Sequence, residues 1–76
     1  MSGTFLTRSG YEKMREELAR LKERRGQLSG EIGEAREKGD LKENAEYHAA
    51  KEEQAKVQRR MNEMEEKLRS AQIIDE

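Results

Sequence analysis

Residues 28–57 read LSGEIGEAREKGDLKENAEYHAAKEEQAKV. Two apolar stripes meet here, one on each side of the Gly39-Asp40 step. Working back from it, Ala35, Ile32, Leu28, Arg25, Leu21, Leu18, Met14 and Tyr11 alternate at intervals of three and four. Working forward, Tyr47, Ala50, Gln54, Val57, Met61, Met64, Leu68 and Ala71 do the same. Each stripe is an a/d heptad pattern with a single polar member, Arg25 in the first and Gln54 in the second. Neither stripe is wide enough to be buried alone. Paired as Tyr11 with Ala71, Met14 with Leu68, Leu18 with Met64 and so on to Ala35 with Tyr47, the residue numbers keep one constant sum. That is the requirement for a chain folded back near residue 41. The expected fold is all-α: a long antiparallel two-helix coiled-coil hairpin. Its helices are predicted at about 8–38 and 41–71, with a turn at about 39–40 and arms roughly 45 Å long at 1.5 Å per residue. Arg25 and Gln54 lie in adjacent layers and either partner each other or leave the Arg25 head in water with its stem buried.

Local signals agree with this outline. Gly39 suits the left-handed position that ends a helix, and Arg36 and Lys38 sit well near its negative end. At the open end, Thr7 is the preferred N-cap, with Leu6 and Tyr11 as a hydrophobic staple; Ser9 with Glu12 is a rival capping box. Ile73 and Ile74 fall outside the heptad and are expected to pack on a neighbour missing from the chain. Gly26, Gly30 and Gly33 occupy outer positions b, f and b, each costing about 1 kcal/mol relative to alanine. They read either as tolerated weakness or as a smooth face for sliding along a close-fitting wall.

Composition bounds the function. At 76 residues the chain is one domain, and with 43% charged and 32% apolar residues it cannot bury a large compact core. Such a composition fits disorder or a narrow-seamed helix pair, and the periodicity selects the second. Sixteen basic and seventeen acidic residues leave a net charge of −1, which argues against a general nucleic-acid binder. The absence of cysteine excludes disulfides and thiolate metal sites, and a single histidine argues against zinc. No apolar run reaches the length of a membrane span or a signal peptide core, so the default is a soluble cytoplasmic protein without membrane association.

Charge is sorted by edge. In an antiparallel pair e faces e and g faces g. The e edge carries Arg15, Lys22, Ser29 and Arg36 from the first helix, with Lys51, Gln58 and Glu65 from the second; the g edge near the turn carries Glu31, Glu46 and Glu53. Near the open end, Arg15 with Glu65 and Glu17 with Lys67 are the expected cross-helix pairs, each worth little. The basic edge reads as a solvated face or as a short track for a nucleic-acid backbone, with Arg36 and Lys51 as its main contacts.

Asp40 and Glu43 also read two ways. Asp-Leu-Lys-Glu has the form of a capping box, with Asp40 at the N-cap and Glu43 three residues on. Equally, two carboxylates at the tip of a rod can help hold a hard cation such as Mg²⁺, provided water, phosphate or another protein supplies the remaining ligands. The two roles compete for the same lone pairs.

Residues 33–54, GEAREKGDLKENAEYHAAKEEQ, closely resemble the coiled-coil tip of the GreA/GreB family of bacterial transcript cleavage factors, nearer GreA than GreB. LTRSGYEKMREELARLK, residues 6–22, looks like that family's opening helix, and AQIIDE, residues 71–76, like its junction with a second domain. The resemblance covers nearly the whole chain. It implies an N-terminal coiled-coil domain, residues 1–76, with the family's C-terminal globular domain absent, and therefore weaker binding through the loss of one linked contact. It implies a transcription elongation factor that is not itself an enzyme. The hairpin would enter the secondary channel of bacterial RNA polymerase. There Asp40 and Glu43 would help position the second, shared Mg²⁺ and a water, and the polymerase's own nuclease would cleave backtracked RNA near its 3′ end. No cofactor is expected to stay tightly bound to the isolated domain. Arg36 and Lys51 match family positions thought to contact the nascent RNA, Lys51 standing where arginine is common. DNA binding comes with the family as an expected attribute. The alternatives are a Gre-like polymerase inhibitor and a plain helical interaction module with no cleavage role. Weak self-association of hairpins into a four-helix assembly is also an expectation.

Overall fold

The computed structural model describes residues 3–39 and 44–75. Four elements follow in order: β1 (Thr4–Thr7), α1 (Arg8–Glu37), α2 (Ala45–Arg69) and β2 (Ala71–Ile74). The two helices pack against each other as an antiparallel hairpin, the expected all-α rod. The molecule is elongated, 54 × 23 × 13 Å along its principal axes.

The helices form where the heptads run, and the inward-turned side chains are those of the two stripes. Leu28, Ile32, Ala50, Val57 and Met61 make the central cluster, with Leu18, Leu21 and Tyr47 packed against it. Ala35 and Met64 are buried as well. Arg25 does not partner Gln54; its guanidinium donates to the Gln58 side chain, 3.3 Å away, on the adjoining e position. Reaching sideways lets the stem stay in the seam while the head leaves it.

Thr7 caps α1: its Oγ1 accepts from the Gly10 N–H at 3.0 Å. At the other end the Lys38 N–H bonds to the Ala35 carbonyl at 3.1 Å, and Gly39 follows with φ +135°, a conformation that favours glycine. The second helix departs from expectation. It begins at Ala45, after the predicted 41, and its N-cap is Asn44, whose Oδ1 accepts from the Tyr47 N–H at 3.1 Å. The capping role assigned to Asp40 therefore belongs to Asn44. Asparagine wins because its carboxamide both caps α2 and donates to α1, whereas a carboxylate has no donor.

The base holds a feature the heptads did not announce. β1 and β2 form a two-stranded parallel pair, Thr4 opposite Ala71 through Thr7 opposite Ile74. The Thr4 N–H extends the contact to the Ser70 carbonyl at 3.2 Å. Gly3 lies so close that a Cβ there would collide with the same carbonyl. Ile73 and Ile74 thus find backbone partners in Leu6 and Thr7, yet their side chains stay 43% and 46% exposed, beside Phe5 at 60%.

Candidate functional site

The expected metal-site residues, Asp40 and Glu43, lie outside the described residues. What is described is the frame on either side of them. Ala35, 3% exposed, anchors the end of α1 in the seam. Its carbonyl accepts from the Lys38 N–H and from Asn44 Nδ2, the latter at 2.6 Å. Asn44 is half-buried and its Oδ1 is taken by the Tyr47 N–H. One side chain thus bonds the last turn of α1 and the first turn of α2. Lys38 Nζ also meets Glu46 Oε2 at 3.3 Å across the helix ends; both are largely exposed, so this pair contributes little. Glu46 sits in the first turn of α2 and Arg36 in the last turn of α1, each at the end of the helix dipole that favours its charge. Among the described residues, no group of three or more His, Asp or Glu side chains is arranged to hold a metal ion. A pair of carboxylates in the 40–43 link fits a hard cation such as Mg²⁺ as an oxygen donor set, but one that needs ligands from elsewhere.

The two edges of the rod behave differently. On the g edge, Arg24 grips Glu53 with two bonds, Nε to Oε2 at 2.7 Å and an Nη2–Oε1 contact of 2.8 Å, and also meets Glu31 at 3.5 Å. The hydrogen bond from Arg24 holds the Glu53 carboxyl below its ordinary range, and the same bond raises Arg24. One heptad further from the tip, Arg60 meets Glu17 at 3.3 Å. Glu17 therefore pairs with Arg60 and not with the predicted Lys67, because a single g-to-g register satisfies both arginines.

On the e edge, Arg15, Lys22, Arg36 and Lys51 are all exposed, and none forms an ion pair with a described residue. The predicted Arg15–Glu65 pair does not form. Lys51 borders a shallow groove of about 310 Å³ shared with Arg25, Gln54, Ala55 and Gln58. The two predicted RNA-contacting residues are thus set on one exposed edge near the tip. Asn44 is the residue that the sequence reading missed. Its signal was available: an asparagine directly before Ala45-Glu46, with the acid in the first turn.

Comparison with known proteins places this geometry in context. A family model described as "Transcription elongation factor, N-terminal" matches residues 4–73. Over 76 residues the chain is 58% identical to the transcription elongation factor GreA of Alkalilimnicola ehrlichii and 59% identical to that of Halorhodospira halophila. Each alignment covers 99% of this chain and 48% of the relative. The GreA of Chloroherpeton thalassium is 51% identical over 74 residues, 96% of this chain and 47% of its own length. The chain spans about half the length of the curated relatives it matches.

Proposed function

This chain belongs to the N-terminal family of the GreA and GreB transcription elongation factors, and on that premise we propose that its hairpin enters the secondary channel of a bacterial RNA polymerase and stimulates cleavage of backtracked RNA. The observation that carries the reading is the exposed basic edge of Arg15, Lys22, Arg36 and Lys51, which forms no ion pair among the described residues, on a hairpin whose sequence between the helices holds two acids. A rod only 13 Å across its thinnest dimension suits a narrow passage.

Each edge has its own task. The g edge, tied by Arg24–Glu53 and Arg60–Glu17, keeps the helices in register. The e edge presents exposed cations to phosphates of the displaced RNA, with Arg36 and Lys51 nearest the tip. Asp40 and Glu43 would lend carboxylate oxygens to a Mg²⁺ whose other ligands come from the polymerase, phosphate and water. When bound, such an ion supplies charge stabilisation to the displacement at a phosphodiester. The acids also orient a water toward the scissile bond. The hairpin thus assists the polymerase's own nuclease.

The test is cleavage in stalled elongation complexes with Asp40→Asn and Glu43→Gln. Asn44 supplies the N-cap bond, so Asp40→Asn leaves the cap of α2 intact. Each variant is expected to lose stimulated cleavage by roughly a hundredfold, the scale of one lost transition-state contact, with little change in melting. Normal cleavage by both variants refutes the role of the acids.

A further inference from the structure

We propose that the outer face of α1 is a docking surface for a second copy of this chain, the two α1 helices lying side by side and parallel. The face is made of three lines that repeat at heptad spacing. On the seam side run the e positions Arg15, Lys22 and Arg36, and on the far side the f positions Glu16, Glu23 and Glu37. All of these are exposed, and none forms an ion pair with a described residue. One helix face thus carries a basic flank and an acidic flank. Between them lie the b positions Ala19, Gly26 and Gly33, also exposed, and a methyl group added at either glycine meets nothing within 4 Å. No long side chain on that centre line keeps a neighbouring helix at a distance.

Charge complementarity selects the occupant and its direction. Packed antiparallel through this face, two copies would set basic flank against basic flank and acidic against acidic. Packed parallel about a two-fold axis along the rod, each sets its basic flank against the other's acidic flank. Arg15 then meets the second copy's Glu16, Lys22 its Glu23 and Arg36 its Glu37, each within about one residue of the same height. The symmetry repeats every pair on the opposite side. A face that complements itself when turned about one axis fits another copy of the same chain. Glu12, next on the centre line toward the base, would meet its own copy, so the contact ends at Ala19. The ion pairs are exposed and each contributes little, which makes the association weak, with a dissociation constant on the order of 0.3 mM. Arg15, Lys22 and Arg36 also belong to the edge offered to RNA. A paired hairpin therefore cannot present them, and pairing and polymerase engagement exclude each other.

The experiment reads the mass of the chain alone by sedimentation equilibrium, from about 10 μM to about 1 mM at low salt. Wild type should move from monomer toward dimer, and salt near about 0.5 M should weaken the association roughly tenfold. Arg15→Glu with Lys22→Glu makes both flanks acidic, and Glu16→Lys with Glu23→Lys makes both basic. Each double variant should stay monomeric by itself. Mixed in equal amounts, the two should form a heterodimer, and the chain carrying all four substitutions, its flanks exchanged, should pair as wild type does. Damage to the helix itself would be rescued in neither case. Direction is tested with Ala19→Cys. The chain has no cysteine of its own, and in the parallel pair position 19 faces itself, so oxidation should link two copies there. A wild type that is monomeric at the highest concentration overturns the proposal. So does association indifferent to flank reversal, or an Ala19→Cys chain that dimerises without linking. Association abolished by Phe5→Ser with Ile74→Ser, yet kept by both flank variants, places the contact on the apolar base and overturns it as well. Polymerase enters none of these measurements, so the pairing and the cleavage reading fail in separate assays.

Discussion

Arg24 and Glu53 show how a single side-chain pair fixes the register of a thin rod. The guanidinium meets both carboxylate oxygens, which makes the contact directional as well as attractive. It also makes stability depend on acid. The Glu53 carboxyl is depressed, first by the Arg24 hydrogen bond, so its contribution is complete above the ordinary glutamate range and disappears as pH falls through the lowered value. Thermal melts followed by circular dichroism should fall more steeply with acidification in wild type than in Glu53→Gln, over the region below roughly pH 4. Gly39 offers a second check. At φ +135° any side chain is strained, so Gly39→Ala should destabilise the hairpin by about 1–2 kcal/mol in the same melts. Thr7 and Gly39 were legible in the sequence because a cap and a left-handed turn are local chemistry. Asn44 was hidden by a better-looking rival, since Asp-x-x-Glu has the form of a capping box and Asn-x-x-Tyr does not. Its bond to Ala35 spans nine positions and cannot be read from either neighbourhood alone.

Among the elements, α1 is weaker than its heptads suggest. Gly26, Gly30 and Gly33 lie on its outer face, and a methyl group added at any of them meets nothing within 4 Å. Alanine at each position should therefore stabilise the helix, by about 1 kcal/mol per site at most. Polymerase binding by these variants tests the smooth-face reading. A triple-alanine hairpin that melts higher yet binds less tightly would show that the bare surface serves passage along a wall. Equal or better binding would make the glycines mere tolerated weakness. The two helices were readable because a repeat sustained over four heptads outweighs any single residue. The strands were not. Four-residue runs such as TFLT and AQII are too short to carry a period, and their pairing joins residues 67 positions apart. Ile73 and Ile74 were recognised as needing company, but Leu6 and Thr7 could not be named as that company in advance.

The molecule as a whole has little to hold it together. Seven side chains are buried among the described residues, and three of the apolar residues at the base stay substantially exposed. A core this small supports only marginal stability, so calorimetry should find a broad, low-enthalpy unfolding transition. On the proposed role, the longer GreA relatives, of which this chain spans 48%, should bind polymerase roughly a hundredfold or more tighter than the hairpin if their remaining half supplies a second, linked contact, and a competition assay between the two checks it. The rod and its two charged edges followed from periodicity. Pairing along those edges did not, because arginine reach decides which of several acids within a heptad is taken. The strand pair at the base has a mechanical corollary. Since β1 and β2 run the same way, Thr4 and Ile74 stand at opposite ends of the ladder. Tension applied before one and after the other loads every rung together in shear, where an antiparallel clasp would peel rung by rung. Pulling on the base should thus meet its resistance there and leave the distant tip undisturbed.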